Sequence, residues 1–289
     1  MTAIHLPAPA LADGAHRLTP GDLALPALHP LRNGGPVIEL QVATGVVTAC
    51  RFDVAGAHRG DEKLLEVRDV RQGLALICRH AWLTAPFAET AYARAVEAAL
   101  GIMLSPRAAA LRELVLALHA LATELLWEHL DTGADAPLRT RERALDAIEA
   151  ITGARMHTTY ARIGGVAVDI DATDLAAADA LLAGLPPERQ QRLRAAVAAA
   201  ATSEGAISVQ LPKVLRIPKG ETLATIDTPH GDCTVWVVGG ADKVPLRVHI
   251  THAAYRALAR LEREAVGMPV QEFLHAFTSI RFVPTEVAR

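Results

Sequence analysis

Apolar residues return every three to four positions through residues 61–130, and this spacing limits the folds open to the chain more than any other feature. Within that span, residues 85–101 close on Gly101, a residue suited to the left-handed turn that ends a helix. Pro106 stands where a first helical turn tolerates it, and residues 107–130 then read as a long amphipathic helix. Thr140 is placed to cap a further helix over 141–151, which ends at Gly153. Residues 173–201 offer two Ala- and Leu-rich helices split at Pro186-Pro187. Strand patterns stand on both sides of this middle. Residues 37–42 and 46–52 flank Ala43-Thr44-Gly45 as a β-hairpin, and short β-like runs follow Gly205 at 207–211, 214–217, 234–238 and 246–250. Residues 251–266 and 270–277 return to helix. The outcome is an α+β chain: an irregular arm over 1–26, then one domain over 27–289. That domain divides into a β region (27–60), a helical bundle (61–204) and a mixed α/β region (205–289).

Composition narrows function by exclusion. With 29 basic and 32 acidic residues the net charge is −3, which speaks against nucleic acid as a partner. Aromatic residues are only 4% while alanine abounds, so close-packed helices are expected rather than an aromatic-rich binding face. The longest apolar runs, 115–122 and 195–201, fall short of the roughly 20 residues a spanning helix needs. No basic cluster followed by an apolar core marks a signal peptide. Cys50, Cys78 and Cys233 are widely spaced and form no C-x-x-C pair, so the expected setting is reduced and cytoplasmic.

The stretch Gly153-Ala154-Arg155-Met156-His157-Thr158-Thr159-Tyr160-Ala161-Arg162-Ile163-Gly164-Gly165-Val166 gathers two arginines, a histidine and a glycine pair into one loop. Such a density suits a backbone brought close to another body with cations aimed at it. The stretch resembles the ARMH…RxGGV segment of the D-type subunit of bacterial NADH:quinone oxidoreductase (complex I), itself a relative of the nickel–iron hydrogenase large subunit. Further motifs follow in family order. His29-Pro30-Leu31-Arg32-Asn33-Gly34 resembles HPAAHG, and His58-Arg59-Gly60-Asp61-Glu62-Lys63 resembles HRGxEK. Ala88-Glu89-Thr90-Ala91-Tyr92 through Glu97 is similar to NEQAYxxAVE, and Leu130-Asp131-Thr132-Gly133-Ala134 to LDxGA. Arg141-Glu142-Arg143 stands for REK, Thr228-Pro229-His230-Gly231-Asp232 for TPRGE, and Thr278 to Arg289 for the GSLDPVLGEVDR tail. Between Asp169 and Thr228 the chain is much shorter than the family pattern and rich in alanine. The resemblance therefore implies a shortened, hydrogenase large-subunit-like fold.

It also implies roles. A quinone site holds the carbonyl oxygens by hydrogen bonds and supplies protons as electrons arrive. The family positions for that work fall on His29, Asn33, Trp82 and Asp131. Asn33 replaces the loop histidine and Trp82 the tyrosine, with Ala81 at the acidic position before it. Asn and Trp can donate hydrogen bonds but are poor proton donors near neutral pH. Without the histidine, Asp131 is expected to cap a helix or face solvent. His58, Arg59, Arg155, His157 and Arg162 match positions that face the iron–sulfur cluster of a subunit-B-like partner. Cations there raise a cluster's potential by stabilising its reduced form. A local alternative pairs Arg59 with Glu62 and packs His157 in its loop.

No metal site of the chain's own is expected. The hydrogenase relatives bind nickel through two C-x-x-C pairs, whereas Ala81 and Thr84 stand at the early pair and the region around Arg281 has no cysteine. His119, Glu124 and His129 lie near helical spacing, but a solvated face is the simpler account of them. Gly164-Gly165 and Gly239-Gly240 are not G-x-G-x-x-G, so NAD would be bound elsewhere in the complex. Several readings stay open. One is a subunit-D-like component that docks on subunit-B-like and subunit-C-like proteins, peripheral to the inner face of the membrane, with a degenerate quinone site. Another is a non-enzymatic scaffold or assembly paralogue, including a hydrogenase-maturation protein. Catalytic residues are not assigned.

Overall fold

The computed structural model describes residues 11–288. In chain order the strands β1 (Gly14–Leu18), β2 (Val37–Ala43) and β3 (Val46–Asp53) come first. Helices α1 (Asp61–Leu65), α2 (Val70–His80), α3 (Ala85–Leu100), α4 (Pro106–Thr132) and α5 (Asp135–Thr152) follow. The short strands β4 (Ala161–Arg162) and β5 (Gly165–Val166) precede α6 (Ala172–Ala183) and α7 (Pro187–Thr202). Last come β6 (Gly220–Thr228), β7 (Gly231–Gly239), β8 (Arg247–His252), α8 (Ala253–Glu264) and α9 (Val270–Ser279). This is the α+β class read from the sequence.

The chain forms two compact units. The first joins residues 11–60, 127–134 and 251–288. Its sheet has the antiparallel order β1-β2-β3. The β2–β3 turn uses Thr44 (φ 52°) and Gly45 (φ 75°), the positive backbone angles that a two-residue hairpin turn demands. β1 lies inside the segment expected to be an irregular arm. Gly14–Leu18 pairs with Val42 to Ile38, a long-range contact that no local period announces. Phe52 of β3 stacks on Phe273 and Phe277 of α9 at 6.2 and 5.5 Å, and its amide donates to Glu262 of α8 at 3.1 Å. Sheet and C-terminal helices thereby share one core.

The second unit comprises Asp61–Leu126 and Asp135–Ile250. One of its cores is built by α4–α7 and the other by α2, α3 and the β6-β7-β8 sheet. Helix α3 is buried around most of its circumference, as its alanines allow. Thr222 of β6 donates to the Ala95 carbonyl at 2.8 Å, fixing sheet against helix. The TPRGE-like motif is the β6–β7 hairpin turn, where Thr228 Oγ1 accepts from His230 N–H and donates to Gly231 O.

Several local expectations change in three dimensions. Thr140 is not a cap: α5 begins at Asp135, and the Thr140 hydroxyl donates back to Ala136 O inside the helix. Strand β6 replaces the expected runs at 207–211 and 214–217, which make only the isolated pairings Gly165↔Ser208 and Ile217↔Asp242. On β6 the side chains of Thr222, Ala224 and Ile226 share the more buried face toward α3, while the larger apolar Leu223 lies on the exposed face, so the apolar alternation does not mark the buried side.

Candidate functional site

The loop after α5 is held from inside by two carboxylates and an arginine. Gly153 (φ 77°) ends α5, and β4 and β5 then make a tight hairpin through Ile163-Gly164. Residues 207–209 run alongside: Val166 N–H donates to Ile207 O, and Val209 N–H donates to Gly164 O. A side chain at Gly165 would put its Cβ 2.1 Å from Ile207 O, and one at Gly164 would meet Val209 at 2.7 Å. The glycine pair is thus required by backbone approach.

On the inner side, Glu97 of α3 accepts the Gly164 N–H at 2.7 Å and pairs with Arg112 of α4 at 2.5 and 3.1 Å. Arg112 also donates to Arg162 O and Gly165 O. Both side chains are buried, so the pair is kept by its hydrogen-bond geometry, and each charge meets a partner. Two turns earlier on α3, Glu89 accepts the N–H of Thr159 at 2.9 Å and of Tyr160 at 3.1 Å. Glu89 is fully buried, and burial pushes its carboxyl up to about 7 against the pull of those amides and of Arg162. The NEQAY-like helix and the ARMH-like loop, separate motifs in sequence, are two halves of one clamp. Arg112 carries no motif, and its role was invisible before the fold.

The outward side chains of the loop differ in freedom. Arg162 is exposed, while its own carbonyl is taken by Arg112. His157 is half-buried with Nδ1 3.0 Å from Cys78 O. Arg155 is bound to its own neighbourhood: it contacts Glu142, Asp146 and Glu149 at 2.6, 2.6 and 3.1 Å, a stripe along one face of α5. His58 and Arg59 are exposed residues of the first unit, whereas Arg155, His157 and Arg162 belong to the second. Glu62, considered as a partner of Arg59, accepts from Arg247 (3.3 Å) and Ile250 N–H (2.9 Å) and lies 2.9 Å from His249 Nδ1. Glu66 takes Val248 N–H. The HRGxEK-like motif therefore supplies a carboxylate that closes the free edge of β8.

The quinone-type positions are likewise divided. His29, Asn33 and Asp131 lie in the first unit and Trp82 in the second. His29 is buried, accepts Leu31 N–H through Nδ1 and meets Trp127 edge-on at 5.4 Å. Desolvation lowers its pKa to about 4, so the ring is neutral near pH 7. Asn33 is exposed at the end of a single 3-10 turn. Asp131 neither caps a helix nor faces solvent alone. Its Oδ2 accepts from Arg281 Nη2 at 2.5 Å, and the same guanidinium lies 5.7 Å over the Trp127 ring. Trp82 lines a cleft of about 10 Å³ beside His119, Arg141 and Met156. His119 is buried and its pKa falls to about 3, first from desolvation and then from Arg141. Glu124 is exposed, and His129 bonds Ala134 O, so these three do not form a metal face. Among the described residues no group of three or more His, Cys, Asp or Glu could hold a metal ion. No described helix is long and apolar enough to cross a membrane.

Comparison with known proteins puts this geometry in a class. A chain of the archaeal membrane-bound sulfane sulfur reductase, a respiratory membrane complex, aligns with a TM-score of 0.78, covering 96% of this chain and 99% of that one at 20% identity. The two share a fold. The family described as the 49 Kd subunit of respiratory-chain NADH dehydrogenase matches residues 131–202 and 194–289, more than half of the chain. The chain belongs to that family. A D-type subunit of the NADH-quinone oxidoreductase of Salinispora tropica is 37% identical over 151 residues, 49% of this chain and 34% of the relative. The D-type subunit of the Frankia casuarinae enzyme is 34% identical over 167 residues, covering 55% and 35%. The H-type subunit of the chloroplastic NAD(P)H-quinone oxidoreductase of Anthoceros angustus is 35% identical over 163 residues, covering 54% and 42%. The matched segments thus span about a third to two fifths of these relatives.

Proposed function

We propose that the chain is a subunit of a complex I-like or related oxidoreductase, docked on a subunit-B-like iron–sulfur protein and next to a subunit-C-like one. In this reading the complex lies at the inner face of the cell membrane and this subunit is peripheral to it. The supporting observation is the clamp of Glu89, Glu97 and Arg112, which fixes the backbone under His157 and Arg162 while Arg162 points outward. A rigid loop that presents a cation suits a partner whose cluster becomes more negative on reduction. His58 and Arg59, exposed in the first unit, are proposed as partner-facing residues of that unit by itself. Arg155 plays a supporting part, since its guanidinium braces α5. Co-purification tests the proposal. A tagged full-length chain brings down an iron–sulfur subunit, and Arg162→Ala or Arg59→Ala lowers the yield. Recovery of the chain without any iron–sulfur partner sinks it.

The quinone-type positions do not suit proton-coupled reduction. Asn33 and Trp82 can hydrogen-bond a carbonyl but deliver no proton near pH 7, and Asp131 is occupied by Arg281. That ion pair favours the second reading, a non-enzymatic scaffold or assembly paralogue that keeps the fold. Restoring Asn33→His and Trp82→Tyr in the assembled complex separates the two. A rise in quinone-dependent turnover supports a retained pocket, and an unchanged rate favours the scaffold.

A further inference from the structure

Glu97 and Glu89 grip the same loop from the same helix, but only Glu97 has a bonded cation. Glu89 holds the loop by the amides of Thr159, Tyr160 and Ala161, and within that grip Thr159 has a φ of 43°, a region that a β-branched residue rarely adopts. Among the described residues no cation bonds this carboxylate. From α2 the Cys78 thiol faces it, with the Arg79 guanidinium bonded to that sulfur at 3.2 Å. From the loop come Arg162, acting at a distance, His157, bonded to Cys78 O, and Tyr160, whose hydroxyl donates to Val168 O. The sheet packed on α3 offers apolar side chains, Thr222 and the buried Cys233 thiol, and α4 offers Leu116 and Ala120. Within α3 itself, Glu97 is neutralised by Arg112.

We propose that Glu89 is a proton-operated latch on residues 157–162, holding the loop when ionised and releasing it when protonated. An ionised carboxylate accepts these amides strongly. The neutral acid turns one oxygen into a donor and weakens that bidentate grip, so Thr159 can leave its strained conformation. Burial raises the carboxyl to about 7, so both forms are populated near neutrality. The loop amides hold that value down, so losing them while the carboxyl stays buried on α3 raises it further and couples proton uptake to release. Release frees the backbone under His157 and Arg162, the side chains that any docking on this face would use. One solvent proton is taken up per release, and no covalent bond changes.

Hydrogen–deuterium exchange on the full chain from about pH 5.5 to about pH 8.5 tests this, with each rate corrected for intrinsic exchange. Opening of the 157–162 amides is expected to rise roughly tenfold toward low pH, while the α4 amides stay flat. Glu89→Gln should lose the transition and exchange at the low-pH rate throughout, and Glu89→Asp should keep a transition. A second readout moves in the opposite sense. The folded-state pKa lies above the ordinary value of 4.5, so overall stability is greatest below that value and falls as pH rises toward about 7. Above neutrality Glu89→Gln should therefore resist denaturant better than the parent while its loop opens faster. A flat profile in the unaltered chain overturns the proposal, as does a transition that survives in Glu89→Gln. If that variant does not fold, the profile of the unaltered chain decides alone. Neither outcome depends on whether an iron–sulfur partner is found.

Discussion

Replacing Arg112 by Met removes more than an ion pair. Its guanidinium binds both oxygens of Glu97 and also the carbonyls of Arg162 and Gly165, all within a buried site. Breaking a buried pair by deleting one partner costs about 3–5 kcal/mol, because the other charge is left in low dielectric. Two carbonyls would lose their donor as well, though such terms do not simply add. Arg112→Met should therefore destabilise the second unit by about 4 kcal/mol. Glu97→Gln keeps an acceptor for Gly164 N–H and leaves Arg112 its two carbonyls, so a loss of about 2 kcal/mol is expected. The informative variant is Arg112→Met with Glu97→Leu. For a simple pair, an apolar swap is often neutral. Here the Gly164 N–H loses its acceptor and two loop carbonyls lose the Arg112 donor, and the double variant should stay at least about 2 kcal/mol below the parent. Urea unfolding followed by circular dichroism measures this, with amide exchange of 157–166 separating loss in the second unit from loss in the first. A single variant that loses under about 1 kcal/mol, or a double variant that returns to parental stability, refutes the clamp as the loop's main support.

Two further outcomes follow from packing and from charge. Gly165→Ala drives a methyl against the Ile207 carbonyl and the Ser208 backbone, and should cost over about 2 kcal/mol while leaving α5 intact, read by denaturation and exchange. His29 has a folded-state pKa depressed from 6.5 to about 4, so the unfolded chain takes up the proton first. Its contribution is present above pH 6.5 and is lost as pH falls toward about 4, by up to about 3 kcal/mol in the first unit. His29→Gln should flatten that acid limb in a pH series of denaturation midpoints, and an unchanged limb would mean the ring is not the group titrating.

What a chain can announce about itself is local. The three- to four-residue spacing marked α3 and α4, Gly101 and Gly153 marked helix ends, and Thr44-Gly45 marked a hairpin. Each depends on residues within a turn or two of one another, where spacing and backbone preference act without help from elsewhere. Ordered motifs were readable for the same reason, and they carried the family. Tertiary structure decided the rest. Asp131 meets Arg281 across 150 residues of sequence, and Glu62 closes a strand edge 188 positions away. β1 pairs inside a segment without regular spacing, and β6 pairs with β7 along its length while packing on α3. The clamp is the clearest case. Glu89, Glu97 and Arg112 read as ordinary charged positions on helices, and only burial against the loop's amides and carbonyls makes them its anchor, because a charge acquires a structural role only where water is excluded and a partner is held within reach.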